Sequence, residues 1–262
     1  MDFKTEILLS THEGRIWNVL DRVRKWSQVS NVLIVHQTND TNLVRKVSQQ
    51  ISNIENVRYL NQQETGVSKS RNLALKHSSS RILLFCDDDV DLVNGFQDIL
   101  IESFAKFPTA SAVTYSVKDT DSNELTKNFS TKSFLHNRFT VLKVGTIEIA
   151  VRRDSVIRST ATFPENLGAG ATLPVCDEPV FLSRLLDSKG MVRYIPIAIA
   201  SHKKESSGTA IDSFNKLKSR SVCFQYIFGP FLGLLVFVFF SLKNFKKIQN
   251  YSWVVDCVFG RK

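Results

Sequence analysis

Short apolar runs alternate with stretches of helical period through the first third of the chain, and this restricts the fold more than any other feature. EILLS (6–10), NVLIVH (31–36), VRYL (57–60) and RILLFC (81–86) have strand character. Between them Ile16, Val19, Leu20, Val23 and Trp26, then Val44, Val47 and Ile51, recur at helical spacing. SKSRNLALKHS reads as a further helix with Ser68 as its N-cap. Strand, helix, strand, helix at this spacing predicts crossover units: an α/β fold with a mainly parallel, doubly wound, Rossmann-like sheet and helices on both faces. Ligands of such sheets sit beyond the carboxyl ends of the strands.

The fourth apolar run ends at such an edge in three consecutive acids, Asp87, Asp88 and Asp89. Neighbouring carboxylates repel and are costly to bury unless a cation neutralises them. On an extended backbone Asp87 and Asp89 project to one side and Asp88 to the other. Carboxylate oxygens favour Mg²⁺ or Mn²⁺, and such an ion commonly shares its coordination with substrate phosphates.

Beyond the acids, 94–106 has a helical pattern, SAVTYSV (111–117) alternates as a strand, and 118–140 is a polar, turn-rich stretch expected to loop beside the site. GTIEIAVRR (145–153) is strand-like. NLGAGATLP (166–174) is a Gly-bearing loop leading into CDEPVFLSRLLDSKG, an amphipathic helix with acids in its first turn and Gly190 after its end. MVRYIPIAIASH (191–202) reads as a strand pair interrupted by Pro196. Three parts are expected: a first half (1–117), a second half (118–208), and a C-terminal basic and apolar segment (209–262).

That last segment carries no charge from Val222 to Leu242, a length near the roughly 20 residues that span a bilayer. Gly229 and Pro230 interrupt it. Basic residues flank it on both sides, which suits a surface-lying or re-entrant apolar helical segment at one anionic leaflet, with a buried helix closing the domain or a dimer interface as the alternative. The whole chain is basic, with 34 Lys and Arg against 25 Asp and Glu, and favours an anionic partner. The basic residues are scattered, with no aromatic–basic signature, so no nucleic-acid partner is expected. Four dispersed cysteines predict neither a zinc site nor a disulfide framework. MDFKTEILLSTHEGR lacks an apolar core flanked by a cleavage site, so the expected setting is cytoplasmic, peripheral on the inner face of the cell membrane.

GVSKSRNLALKHSSSRILLFCDDDV resembles the segment of family 2 glycosyltransferases that runs G-x-S-x-x-R-N, helix, apolar strand, D-x-D. FPENLGAGATLPVCDEPVFLSRLLDSKG resembles the acceptor-side segment of that family, and IPIAIASH the strand ending in its late His. The resemblance runs in order from about residue 5 to 202. It implies a GT-A fold, a nucleotide-diphosphate sugar donor (uridine being the commonest base), a divalent metal, and inversion at the anomeric carbon. It would give Asp87 to the donor and metal, Asp88 to the donor site, Asp89 to the metal, and His202 to the metal or diphosphate. Arg71 would reach the base or phosphate, and Thr11 and Glu13 would approach the base. Where the family often has an Asp after the second strand, His36 and Gln37 stand here. The family's usual Glu-Asp pair is swapped to Asp177-Glu178. Counting back from Phe181 and Arg184 puts Glu178 in the position of the general base, with Asp177 as the alternative.

The chemistry suits these residue types. A nucleoside diphosphate leaves once its charge is neutralised, and the acceptor hydroxyl loses its proton to a carboxylate base as it attacks. The expected function is inverting transfer of a sugar to an acceptor hydroxyl, on a lipid-linked glycan in surface polysaccharide assembly. Two alternatives stand beside it: a glycosyltransferase-like subunit that binds the sugar nucleotide without turnover, and a metal-dependent phosphatase with Asp87 as nucleophile. A homo-oligomer is compatible with all three.

Overall fold

The structure, a computed structural model, describes residues 4–203 and 211–260. Strands β1 (Thr5–His12), β2 (Asn31–Gln37), β3 (Val57–Gln62) and β4 (Ile82–Asp87) are separated by helices α1 (Leu20–Trp26), α2 (Thr41–Ile51) and α3 (Val67–His77). All four strands are parallel, in the order β3-β2-β1-β4. Their side chains alternate as the sequence pattern requires. Ile7, Leu9, Ile34, Leu84 and Cys86 pack on the face covered by Val19, Val23 and Trp26, together with Phe96, Leu100 and Phe104 of α4 (Phe96–Lys106). Leu8, Leu33, Val35, Leu83 and Phe85 pack on the opposite face, against Ala74 of α3, Val156 of α5 (Arg153–Ser159) and Phe181, Leu182 and Leu185 of α6 (Asp177–Asp187). Two apolar layers on one sheet hold every strand end in place.

The second half corrects the expectation of a mainly parallel sheet. Strands β5 (Asp91–Leu92), β6 (Ala110–Asp119), β7 (Phe134–Leu135), β8 (Ile149–Arg152) and β9 (Met191–His202) complete one mixed sheet. Strand β8 runs antiparallel to both β4 and β6, β6 is parallel to β9, and β5 and β7 are antiparallel to β9. No α-helix lies between β6 and β8, and the chain re-enters the sheet from the end at which it left and reverses direction.

Three local readings also change. Strand β9 is continuous through Pro196. Its ladder with β6 shifts register between Thr114↔Tyr194 and Ser116↔Ala198, so Pro196 is asked for no ladder bond. Helix α3 starts at Val67 after Gly66 (φ 128°) with no side-chain cap, and Ser68 Oγ donates instead to Leu167 O at 2.6 Å. In 145–153 only β8 is strand, since Thr146–Glu148 is a 3-10 turn and α5 begins at Arg153.

Helices α7 (Phe214–Phe228) and α8 (Pro230–Lys243) fold against each other about Gly229 (φ 82°), and α9 (Ser252–Phe259) packs on both. Val180 of α6 joins Leu217, Cys223, Phe224 and Phe237 in the apolar cluster they share. Among the described residues no helix is long and apolar enough to cross a membrane. The expected domain boundary at 208/209 lies outside the described residues.

Candidate active site

The carboxyl end of β4 lies beside that of β1, with Asp87 in register with Ser10. The strand stops at Asp87, and Asp88 and Asp89 form a turn. The turn overrides the alternation expected from an extended chain. Asp87 follows Phe85 to the α3/α6 face, where its Oδ1 lies 3.2 Å from Arg71 Nη2. Asp88 and Asp89 instead share one cation: Arg15 Nη2 is 2.5 Å from Asp88 Oδ1 and 2.9 Å from Asp89 Oδ2.

Asp88 is buried. It accepts from Thr11 Oγ1 at 2.7 Å, while Arg22 donates to its backbone carbonyl at 2.6 Å and to that of Val90 at 3.0 Å. Burial pushes the Asp88 carboxyl above its ordinary range. Asp89 remains half exposed, with its Oδ1 3.3 Å from His202 Nε2 at the end of β9. Their hydrogen bond holds the Asp89 carboxyl below the usual range and lifts the imidazole above its own.

Arg71 forms the other half of the site. It is almost fully buried, with its guanidinium carbon 5.5 Å from the Phe163 ring centroid. Phe163 stacks on Phe181 at 4.2 Å, and Phe85 meets both edge-on. This aromatic floor fixes where the guanidinium points. Arg71 Nη1 lies 2.5 Å from Asp177 Oδ2 and 3.8 Å from Glu178 Oε1. One arginine thus joins the β4 acid to both acids at the start of α6.

The α6 acids differ in surroundings. Asp177 is buried against Arg71 and against Gly168, where a Cβ would meet its carboxyl at 2.9 Å. Gly168 also has φ +100°, so this position of NLGAG needs glycine twice over. Glu178 has Thr146 Oγ1 donating to its Oε1 at 2.5 Å. Burial, then repulsion from Asp177, pushes its carboxyl up to about 7 against the pull of Arg71 and Thr146. An acid with that pKa can take a proton near neutrality.

The nucleotide side is tied internally. His36 is fully buried, with its ring nitrogens 2.8 Å from Tyr59 Oη and 2.9 Å from the Glu13 carbonyl. Burial lowers its pKa. Gln37 accepts from the Gly66 N–H at 2.7 Å. These two residues therefore brace the turn after β1 and the start of α3, rather than offering those atoms to a ligand. Glu13 is exposed, holds φ 46° and accepts from Thr38 at 2.8 Å.

The sequence reading thus falls into two linked groups: Thr11, Asp88, Asp89 and His202 around Arg15, and Asp87, Asp177 and Glu178 around Arg71. Arg15, Arg22 and Thr146 were missed. Arg15 lay in view in STHEGR, but only the fold brings it to the acids.

Among the described residues, no three His, Cys, Asp or Glu side chains converge as a ready ligand set. Asp89 and His202 supply one oxygen and one nitrogen donor side by side at the sheet edge. Such a pair fits a divalent cation that takes its remaining ligands from phosphate oxygens and water.

The family profile described as Glycosyl transferase family 2 matches residues 10–158. No curated protein matches the chain. Among solved structures it is similar to S. aureus TarS 1–349, at 13% identity over 99% of this chain and 82% of that one, with a TM-score of 0.66. The same S. aureus protein fragment in complex with UDP-GlcNAc gives 14% identity, 96% and 75% coverage, and a TM-score of 0.65. At these identities the likeness speaks to the fold, and it extends past the profile match to α6 and β9. With the end of β1 and all of β2 through β8 inside the profile and the α/β sheet shared across nearly the whole length, the chain belongs to glycosyl transferase family 2 and has the GT-A fold.

Proposed function

We propose that the chain transfers a sugar from a UDP-linked donor to a hydroxyl of a lipid-linked glycan, with inversion, at the face of a membrane. The donor engages the half up to residue 117 and the acceptor the half from 118. The observation that carries this reading is the Arg71 junction. It ties the acid at the end of β4 to a pair at the start of α6, whose second member, Glu178, has a carboxyl raised to about 7.

Glu178 is the base. Its Oε1 is held by Thr146, which leaves Oε2 to receive the acceptor proton as the hydroxyl attacks. Asp177 positions Arg71 and, through it, Asp87. Asp89 and His202 would hold Mn²⁺ or Mg²⁺, and Asp87, two residues before Asp89, is the further carboxylate proposed for it. When bound, this cation neutralises the charge of the departing diphosphate. Asp88 and Thr11 keep the turn that presents Asp89. UDP as the nucleotide rests on the family's commonest choice and on the TarS complex with UDP-GlcNAc.

A panel of nucleotide sugars tested with Mn²⁺ for binding and slow hydrolysis checks the reading. A UDP-sugar should bind and be hydrolysed, and addition of a membrane lipid extract should accelerate turnover. Binding of no nucleotide sugar would overturn it.

A further inference from the structure

Helix α8 has two unlike apolar faces. Gly233, Phe237 and Ser241 form the inner one, against α7. A Cβ at Gly233 would lie 2.5 Å from the Phe224 carbonyl, so the two helices touch backbone to backbone and the helix cannot roll. The outer stripe is therefore fixed outward: Phe231, Leu235, Phe239 and Leu242 are 87%, 58%, 72% and 66% exposed. Large aromatic and aliphatic side chains aligned along a whole helix and left in water mark a contact surface.

The charge around the stripe identifies what covers it. No Asp or Glu occurs between Asp212 and Asp256, whereas Lys243, Lys246 and Lys247 follow the stripe directly and are exposed. Pairing with a second copy would bring such basic sets together with no local acid to offset them. A bilayer with anionic headgroups offers hydrocarbon for the stripe and phosphates for the lysines.

We propose that α8 lies in the plane of an anionic lipid surface, its outer stripe in the acyl region and these lysines among the headgroups. The apolar face also leads toward the candidate site. Phe228 meets the exposed Phe139 ring at 4.8 Å, and the chain after Phe139 reaches Thr146, the partner of Glu178. An enzyme seated this way meets its acceptor at the rim of the bilayer. That last point rests on the lipid-linked acceptor proposed above, whereas the docking surface does not.

Sedimentation with vesicles tests the surface directly. The purified chain should pellet with mixed phosphatidylcholine–phosphatidylglycerol vesicles and release as salt rises. Lys243→Gln with Lys246→Gln and Lys247→Gln should weaken binding to the mixed vesicles by about 100-fold, from the usual attraction per basic residue. Phe231→Ser with Phe239→Ser should abolish binding to vesicles, with UDP-sugar hydrolysis retained as evidence of folding. Failure of the intact chain to bind, or a dimer in sedimentation velocity that the double serine variant dissociates, would overturn the proposal. Vesicle binding without hydrolysis of any UDP-sugar would leave the docking surface standing and remove the sugar-transfer reading instead.

Discussion

Arg71 lies 2.5 Å from Asp177 and 3.8 Å from Glu178, and this difference separates two adjacent acids whose order is swapped relative to the family's usual pair. Asp177 is buried as the partner of a guanidinium, and Glu178 keeps a carboxyl that holds its proton to about 7. Glu178→Gln should therefore lower kcat by 10²–10⁴-fold with little change in donor affinity, the usual range for loss of a positioned base. Asp177→Asn should act on the fold: removing one member of a buried pair costs about 3–5 kcal/mol. Turnover assays beside denaturant unfolding discriminate the two. If Asp177→Asn unfolds normally and stops transfer, the base moves by one residue.

The same carboxyl sets a pH profile. As the proposed base Glu178 would work only when ionised, so kcat should rise with pH through about 7 and level above it. The Thr146 hydrogen bond favours the ionised form, and Thr146→Val should shift the inflection upward. Linkage carries the opposite sign for stability. A carboxyl raised in the folded state contributes most at low pH, and that contribution is lost as pH rises from the unfolded value toward about 7. Glu178→Gln should remove that slope from unfolding measurements made across this window.

Gly168 gives a test of the loop. Its φ of +100° and the 2.9 Å approach of a Cβ to both Asp177 and Ser68 Oγ leave no room for alanine. Gly168→Ala should destabilise by more than about 1 kcal/mol, since strain and collision act together. It should also displace Asp177 from Arg71. Gly14, whose Cβ would meet nothing within 4 Å, is the control, and Gly14→Ala should be nearly neutral by thermal unfolding.

What the sequence displayed and what it hid follow from range. The strands β1 to β4 and the acids at the end of β4 were legible because a period of two, a period of 3.6 and an apolar run ending in charge are local signals. The direction of β8 was not, because it depends on where the chain re-enters the sheet after 120–148. His36 stands where the family often has an Asp, and its ring is braced between Tyr59 and Glu13, a pairing set by β2–β3 register and by the left-handed turn at Glu13. Ser68 looked like a cap and is a tie to Leu167, far along the chain. For the swapped pair Asp177-Glu178, the closer approach of Arg71 to the first is a long-range contact that no local pattern carries.

Arg15 carries the last prediction, which concerns the acidic edge itself. Its guanidinium contacts Asp88 and Asp89 together, and Asp89 is a carboxylate proposed to receive a divalent cation. Two cations cannot both neutralise the same Asp89 oxygens at full strength, so Arg15 must yield, or turn toward the diphosphate, when metal and donor arrive. Arg15→Ala should then bind Mn²⁺ several-fold more tightly in the absence of donor, while losing affinity for the UDP-sugar. Asp89→Asn should weaken Mn²⁺ in either background, and His202→Gln should do so to a smaller degree. Titration followed by the Mn²⁺ electron paramagnetic resonance signal reads all three without relying on turnover. A weaker Mn²⁺ affinity in Arg15→Ala would mean that Arg15 props Asp89 in place and does not compete for it, and the acidic edge would then depend on that arginine for its shape.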